Sequence, residues 1–214
     1  MSQREEAMAR IREQKLVAVV RCTQEQVQPV VSALVDGGVE IIEITFTVPN
    51  APAMIAQTAA TFGDRIYLGA GTVRDVAKAE EAIAAGARYV VAPNTDFEVI
   101  KLCNERDILV APGAYTPTEI QNAWNAGADI VKLFPASIGG IPLLKAIRAP
   151  MPDIPIMPTG GVDLENAAAW LEAGAVALGV GSKLVRKDAL ADGNYEPIAE
   201  TARKFLAAIH PPEV

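Results

Sequence analysis

The sequence predicts an α/β protein that folds as a single (β/α)₈ TIM barrel domain over residues 1–214. Three observations support this fold class. Short apolar runs alternate with Ala-, Glu- and Gln-rich segments of helical spacing, which is typical of a parallel sheet covered by helices. About eight such pairs occupy the chain, and this number favours a closed barrel over an open sheet. No Pro/Gly/Ser linker or break in composition divides the chain.

The candidate strands are short apolar runs bounded by turn-forming residues. In chain order they lie at 16–21, 39–47, 66–73, 88–93, 108–114, 129–136, 154–161 and 175–182. Several of the helical segments between them begin at Thr, Asp or Asn, which cap helices, and end at a glycine. Matching glycines at Gly38, Gly86, Gly127 and Gly174 mark the step from helix to strand at every second unit. They indicate a weak internal repeat of a βα pair.

Composition excludes several classes of function. The formal net charge of -7, without a run of Lys and Arg, argues against a nucleic acid partner, because such binding requires a basic patch. The opening MSQREEAMARIREQK lacks the apolar core of a signal peptide. No later segment has the roughly 18 uninterrupted apolar residues of a membrane span. We therefore expect a cytoplasmic protein with no membrane or nucleic acid partner.

Cysteine and histidine offer little chemistry. Cys22 and Cys103 form no C-x-x-C motif, and both are interpreted as small buried residues. The only histidine, His210, lies close to the C-terminus, which argues against a histidine-dependent triad or metal site. We therefore expect no metal and no cofactor, and any proton transfer must use carboxylates, lysines or water.

One charged residue interrupts an apolar strand. Lys132 lies in the middle of "ADIVKLFPAS", which otherwise has the composition of a strand buried on both faces. A lysine partly desolvated inside a barrel has a lowered pKa, so its neutral amine can attack a carbonyl carbon and form a Schiff base. The alternative is a strand-end lysine whose ammonium group reaches water along its aliphatic stem.

Two further charged residues occupy strand ends, where (β/α)₈ barrels place their chemistry. The alternation of side chains puts Glu43 and Arg21 on faces that would meet Lys132 inside the barrel. Glu43 is the leading candidate for acid/base catalysis, with a structural counter-ion as the alternative. Arg21 is suited to a substrate carboxylate, with a surface ion pair as the alternative.

The last two strand candidates end in small residues, most of them glycines. Gly160 and Gly161 end one run, and Gly181 and Ser182 end the other. Their backbone N–H groups, placed before helix starts, predict a phosphate site, although tight turns alone would also require glycine. By contrast, "GAGTVR" contains one G-x-G and lacks the third glycine of a dinucleotide fingerprint, so NAD binding is not predicted.

Five motifs occur together in the order and spacing of a known family. They are "VEIIEITFTVPNA", "LGAGTV", "ADIVKLFPAS", "MPTGGV" and "LGVGSKLV". From about Leu16 to Ile209 the chain resembles the 2-keto-3-deoxy-6-phosphogluconate (KDPG) aldolases, whose family includes the 4-hydroxy-2-oxoglutarate (KHG) aldolases. The resemblance implies a class I aldolase, a lyase that cleaves the phosphorylated keto-deoxy sugar acid to pyruvate and glyceraldehyde 3-phosphate, as in the Entner-Doudoroff pathway. It also implies a metal-free homotrimer.

The same resemblance implies roles for individual residues. Lys132 matches the Schiff-base lysine, Glu43 the general acid/base, and Arg21 an arginine that holds the pyruvate carboxylate. Other members carry that arginine where this chain has Thr47. The remaining implied residues are Thr72, Pro93, Phe134 and Thr159 for the pyruvate end, and Gly160, Gly161, Gly181 and Ser182 for the phosphate.

The sugar stereochemistry stays open. After the fourth strand the chain reads Ala92-Pro93-Asn94, and Asn94 resembles the galactonate-type relatives more than the gluconate-type ones, so a 2-dehydro-3-deoxy-6-phosphogalactonate (KDPGal) aldolase is an alternative. Two further alternatives are a phosphosugar isomerase or epimerase on the same barrel and a phosphometabolite-binding module without turnover. An enamine at Lys132 also predicts side activities, namely KHG cleavage and oxaloacetate decarboxylation.

Overall fold

The computed structural model describes residues 1–211 and has an α/β architecture. The strands are β1 (Leu16–Val20), β2 (Ile41–Thr45), β3 (Tyr67–Gly71), β4 (Tyr89–Val91), β5 (Leu109–Ala111), β6 (Gly113–Ala114), β7 (Val131–Leu133), β8 (Ile156–Pro158) and β9 (Leu178–Val180). The helices are α1 (Gln3–Gln14), α2 (Val27–Asp36), α3 (Ala51–Phe62), α4 (Val76–Ala84), α5 (Phe97–Glu105), α6 (Pro117–Asn125), α7 (Ala136–Arg148), α8 (Ala167–Glu172), α9 (Lys187–Asp192) and α10 (Glu196–Ile209). The last three residues of the predicted domain, 212–214, lie outside the described part.

The strands form a curled parallel sheet, which confirms the predicted α/β class. Six of them follow the order β5-β4-β3-β2-β1-β9, and three follow the order β6-β7-β8. At one junction a single residue, Pro112, separates β5 from β6. At the other junction Thr159 and Gly179 form a parallel bridge. The predicted strand at 108–114 is therefore divided, because proline has no N–H to donate to the ladder.

Two apolar cores lie on the two faces of this sheet. The larger one fills the space between the sheet and the helices and includes Ile42 and Ile44 of β2. The smaller one fills the inside of the curled sheet. Its strand residues are Val17, Ile41, Tyr67, Tyr89, Val91, Leu109, Ala111 and Met157, and Ile130 and Ala177, which directly precede β7 and β9, join them. Because both faces are buried, the strands have almost continuous apolar sequences.

Helix α1 closes one end of the curled sheet. It begins at a capping box, in which the Ser2 side chain accepts from the Glu5 N–H and the Glu5 side chain accepts from the Ser2 N–H. Its buried residues, Ala7 and Ile11, pack on the inner core. Chemistry inside the sheet is therefore reached from the opposite end, where the strands have their C-termini. Within residues 1–211, no helix is both long and apolar enough to cross a bilayer.

Candidate active site

Lys132 and Glu43 lie inside the curled sheet, on β7 and β2. Their side chains are 5% and 1% exposed. Both carboxylate oxygens of Glu43 are buried and have no hydrogen-bond partner among residues 1–211. Buried polar groups are normally hydrogen-bonded, so two free oxygens make Glu43 a candidate functional group. The burial of Lys132 is at odds with a strand-end lysine whose ammonium group reaches water.

Burial shifts both pKa values toward the neutral forms. It raises the pKa of Glu43 above its ordinary value, although the charges of Lys132 and Arg21 lower it. It lowers the pKa of Lys132, an effect that Glu43 opposes and Arg21 reinforces. Lys132 therefore has a larger neutral, nucleophilic fraction at neutral pH than a lysine in water, and Glu43 keeps its proton to a higher pH than a carboxyl group in water.

Two glycines of β3 make room for buried side chains of the neighbouring strands. A Cβ atom at Gly71 would lie 2.8 Å from Cδ of Glu43 and 3.0 Å from Cγ2 of Thr45. A Cβ atom at Gly69 would lie 2.5 Å from Cε1 of Tyr89. The G-x-G of "GAGTVR" is therefore a packing requirement of this strand, which gives a structural reason for a pair of glycines without a nucleotide.

The residues that follow β2 and β3 have fixed geometry. Thr45 is buried, its Oγ1 donates to the carbonyl of Val20 at 3.0 Å, and it lies 2.6 Å from Oγ1 of Thr47. Thr72 directly follows β3 with φ 59°, in the left-handed region that residues other than glycine rarely adopt. Such strain tends to occur where function requires a particular backbone geometry. Thr72 does not line the cleft described next.

A cleft with a volume of about 390 Å³ opens at the C-terminal ends of β1, β7, β8 and β9. The predicted residues that line it are Arg21, Phe134, Thr159, Gly160, Gly161, Gly181 and Ser182. The structure thus brings the predicted carboxylate-binding arginine and the predicted phosphate residues together. Arg21 is exposed and forms no ion pair with the described residues.

The deeper residues adjoin this cleft through Phe134, whose ring centroid lies 5.1 Å from Nζ of Lys132. Lys132 is opposite Gly113 in the sheet register. A Cβ atom at Gly113 would lie 2.8 Å from the backbone nitrogen of Asn94, so the segment of Pro93 and Asn94 packs against Gly113, the residue opposite Lys132. Pro93 itself is half-buried and does not line the cleft.

The end of the cleft at β8 and β9 presents free backbone donors. Gly160 and Gly161 have φ of 86° and 81°, which only glycine adopts without strain. Their N–H groups, and that of Ser182, donate to no backbone carbonyl within residues 1–211. Thr159 contributes a buried Oγ1 that also lacks a partner there. The turns therefore require glycine and also leave donors available for an anion.

Sequence reasoning missed two lysines of this cleft. Lys183 and Lys187 line it beside Ser182, and neither forms an ion pair with any residue in 1–211. Arg186, between them, is instead paired with Asp188. The signal in the sequence was "SKLVRK", directly after the predicted phosphate glycines. These lysines add positive charge to one end of the cleft in a chain of net charge -7.

The two cysteines lie outside the site and are free thiols. Cys103 is buried as predicted, whereas Cys22 is only half-buried. Burial raises their pKa values to about 12 and about 11, so both are poor nucleophiles. His210 is exposed, with a ring nitrogen 3.2 Å from the carbonyl of Gln14. No group of three or more His, Cys, Asp or Glu residues in the described part could hold a metal ion.

Comparison with known proteins identifies the family. The family model for KDPG and KHG aldolase matches residues 7–201. A 2-dehydro-3-deoxy-6-phosphogalactonate aldolase of Escherichia coli is 34% identical over 90% of this chain and 93% of its own length. A 2-dehydro-3-deoxy-phosphogluconate aldolase of Dickeya dadantii is 36% identical over 86% of each chain.

Solved structures agree with this result. The KDPG aldolase of Legionella pneumophila, with pyruvate captured at low pH as a covalent carbinolamine intermediate, gives a TM-score of 0.85 at 30% identity. The alignment covers 92% of this chain and 96% of that chain. A native KDPGal structure gives a TM-score of 0.83 at 34% identity, over 90% of this chain and 93% of that one. The chain therefore belongs to the KDPG and KHG aldolase family and is an aldolase, that is, a lyase.

Proposed function

We propose that this chain is a class I aldolase that cleaves 2-dehydro-3-deoxy-6-phosphogluconate (KDPG) into pyruvate and glyceraldehyde 3-phosphate. The observation that carries the proposal is a buried amine, Lys132, together with a buried carboxylate, Glu43, that has no partner of its own. The curated KDPG aldolases at 33% and 36% identity support this substrate class. The carbinolamine captured in the Legionella pneumophila relative supports covalent chemistry.

In the proposed reaction the neutral amine of Lys132 attacks the C2 carbonyl carbon of the substrate and forms a carbinolamine. Loss of water, with Glu43 delivering the proton that the departing hydroxyl needs, leaves an iminium ion. The iminium accepts the electrons of the C3–C4 bond as the Glu43 carboxylate, which has just given up its proton, takes the proton of the C4 hydroxyl, so the aldehyde departs and an enamine remains. Protonation at C3 and hydrolysis then release pyruvate and restore the free lysine.

The cleft supplies the binding contacts in this proposal. The Arg21 guanidinium binds the substrate carboxylate as a bidentate donor. Phe134 and Thr159 of the cleft contact the pyruvate end, together with Thr72 and Pro93, which lie outside the cleft. The phosphate is bound by Gly160, Gly161, Gly181 and Ser182. The free N–H groups beside Ser182 and the cationic side chains of Lys183 and Lys187 support a phosphate at that end. The proposed steps need only an amine and a carboxylate, and no cofactor or metal.

We also propose that the curled sheet closes into one (β/α)₈ barrel domain. The parallel bridge between Thr159 and Gly179, and the single residue Pro112 between β5 and β6, support this closure. Cytoplasmic location and a homotrimer remain predictions. A structurally similar chain at 32% identity belongs to a cage designed by fusing symmetric oligomeric domains, which supports a symmetric oligomer. Sedimentation equilibrium would give three times the chain mass of 22.6 kDa for a trimer.

The second candidate substrate is the galactonate epimer. Asn94 favours the galactonate substrate, and it packs against Gly113, the residue opposite Lys132. A KDPGal aldolase that is 34% identical to this chain also supports this candidate. Comparison of kcat/KM for KDPG and KDPGal decides between the two. KHG cleavage and oxaloacetate decarboxylation are proposed as side activities. An isomerase on the same barrel would need no amine, so it would tolerate Lys132→Arg, whereas an imine-forming enzyme would not.

The aldolase proposal is tested by trapping the imine. Incubation with pyruvate and borohydride should inactivate the protein and add one reduced pyruvoyl unit to Lys132, which peptide mass spectrometry would locate. Lys132→Arg should abolish both labelling and cleavage. Lys145→Arg is the matched control, because Lys145 is exposed on α7 and should leave both unchanged. Full activity with an unmodified Lys132 after this treatment would overturn the proposal.

A further inference from the structure

Tyr89 of β4 is a buried phenol that the proposed reaction does not use. Its side chain is 0% exposed, and its hydroxyl has no hydrogen-bond partner among residues 1–211. Burying a hydroxyl without a partner costs free energy, so phenylalanine would be the more stable residue at a position that only fills space. The hydroxyl therefore points to a group that it serves.

The tip of the Tyr89 ring lies close to the Glu43 carboxylate. Gly69 is opposite Glu43 in the sheet register, and a Cβ atom at Gly69 would meet the tip of the Tyr89 ring. Gly71, on the same face of β3 and one strand repeat further on, roughly 6.5–7 Å away, would meet the carboxyl group of Glu43. The ring tip and the carboxylate thus occupy neighbouring positions over one strand.

Three unpartnered oxygens therefore lie over neighbouring positions of β3 in one buried region: both carboxylate oxygens of Glu43 and the hydroxyl of Tyr89. The titratable or charged groups that face Glu43 are Lys132 from β7, Arg21 after β1 and Tyr89 from β4. Burial, and then the charge of Glu43, raise the pKa of Tyr89 well above its ordinary value, so the phenol keeps its proton and acts as a donor. Lys132 is needed as a nucleophile, and Arg21 faces the cleft. Tyr89 is thus the neutral donor on the side of Glu43 away from the cleft.

We propose that Tyr89 is a positioning residue for Glu43, whose carboxylate accepts a hydrogen bond from one water molecule that in turn accepts a hydrogen bond from the Tyr89 hydroxyl. The inference rests on the proposed aldolase function, in which Glu43 transfers protons at the carbinolamine. A donated hydrogen bond stabilises the ionised carboxylate, so it opposes the effect of burial on Glu43. It also restricts the carboxylate to one orientation relative to the lysine.

The test compares Tyr89→Phe with Tyr67→Phe. Phenylalanine at 89 keeps the ring and its stacking on Tyr67, whose centroid is 6.2 Å away, and removes only the hydroxyl. The hydroxyl of Tyr67 instead donates to the carbonyl of Gln3 in α1 at 3.3 Å. Tyr67→Phe therefore removes a hydroxyl from the same inner core without touching Glu43. Both variants are purified as full chains, and kcat and KM are measured as a function of pH.

Tyr89→Phe should lower kcat about tenfold, a part of the usual contribution of general acid/base catalysis, and should leave KM nearly unchanged. The acid limb of the kcat profile should move to higher pH, since Glu43 loses a donor to its charged form. In a Glu43→Gln background the same substitution should have no further effect on kcat. Tyr89→Phe should fold as the wild type does, because it removes only a hydroxyl that has no partner among residues 1–211. Tyr67→Phe should reproduce the wild-type profile.

The inference is overturned if Tyr89→Phe raises the melting temperature and leaves kcat and the pH profile unchanged, because the hydroxyl would then only be a cost of packing. An equal fall in kcat for Tyr67→Phe, without a shifted limb, would overturn it too. Borohydride trapping separates this failure from failure of the proposed function. Absence of trapping in the wild type removes the aldolase mechanism and the role of Tyr89 with it. Normal trapping at Lys132 with an unchanged Tyr89→Phe profile removes only the role of Tyr89.

Discussion

Replacing Gly71 by alanine should displace the proposed acid/base without changing any side chain that contacts substrate. Gly71 does not have a positive φ, so alanine is compatible with its backbone. The added Cβ atom would lie 2.8 Å from Cδ of Glu43 and 3.0 Å from Cγ2 of Thr45. Carbon atoms in proteins pack at about 3.5–4.0 Å, so at least one group must move. Thr45 is held by its hydrogen bond to Val20, and Glu43 has no such partner, so the carboxylate is the group that moves.

The contact distance sets the expected magnitude. The shortfall against normal packing is about 0.7 Å, and adding a methyl group to a close-packed interior typically costs about 1–3 kcal/mol. We therefore expect the free energy of unfolding of Gly71→Ala to fall by about this amount. A shift of about 1 Å in a catalytic group can lower the rate about 10²-fold, so kcat should fall on that order while KM changes little.

A double-mutant cycle tests the steric origin of both effects. Glu43→Ala removes the carboxylate that the new methyl group would meet, so Gly71→Ala should destabilise this background much less, with a coupling of about 1 kcal/mol or more. Urea unfolding gives the four free energies, and steady-state kinetics give the four rates. If Gly71→Ala costs the same stability in both backgrounds, or leaves kcat at the wild-type value, the Glu43 carboxylate does not lie against β3 as described.

The remaining predictions concern charge. Glu43→Gln should lower cleavage about 10²- to 10⁴-fold, and a loss below about fivefold in steady-state assays would reassign Glu43 to structure. The same variant loses the carboxylate that raises the pKa of Lys132, so the pH dependence of borohydride trapping should move to lower pH. The pKa of Lys132 is below its ordinary 10.5 in the folded protein. Between the folded-state pKa and 10.5 the unfolded chain therefore binds more protons than the folded protein, so the contribution of Lys132 to the free energy of unfolding rises with pH. Lys132→Met should reduce this rise in the free energy of unfolding, measured by urea titration at several pH values. Lys183→Met combined with Lys187→Met should lower kcat/KM for the phosphorylated substrate about tenfold or more, because two phosphate-end charges are lost. Metal-independent decarboxylation of oxaloacetate, assayed in excess EDTA, should persist in that variant and disappear in Lys132→Arg. If this double variant lost activity equally toward the phosphorylated substrate and oxaloacetate, Lys183 and Lys187 would not act at the phosphate end.

The sequence predicts the alternation of strands and helices well because strands buried on both faces have continuous apolar runs, as at Leu16 to Val20. The break at Pro112 and the helix α1 are harder to predict. Only Ala7 and Ile11 of that helix are buried, so its amphipathic pattern is weak. A helix that covers one end of a sheet needs few apolar residues, and two of them give little signal among twelve.

The candidate site divides in the same way. Lys132 stands out in the sequence because an ammonium group is unusual in an apolar strand. Tyr89 does not stand out, since tyrosine is common in strands and only the fold shows where its hydroxyl ends. In the sequence, Lys183 and Lys187 resemble ordinary surface lysines. Only the folded structure shows that they line the same cleft as the ends of β1, β8 and β9. Residues whose type violates the local pattern can be found in the sequence, whereas residues defined by their neighbours require the fold.

Helix α1 determines how far water can reach into the molecule. The side chain of its last residue, Gln14, accepts hydrogen bonds from the N–H groups of Glu40 and Ile41 at 2.9 and 2.8 Å. Near the other end of the helix, Arg4 forms an ion pair with Asp129, which lies just before β7. These contacts hold the helix against the end of the sheet that lies opposite the substrate. If the helix were removed or displaced, solvent could enter the inner core from behind, and the local dielectric around the lysine and the carboxylate would rise. Their pKa values would then return toward those of groups in water, and the amine would lose nucleophilic fraction although every residue of the cleft remained in place.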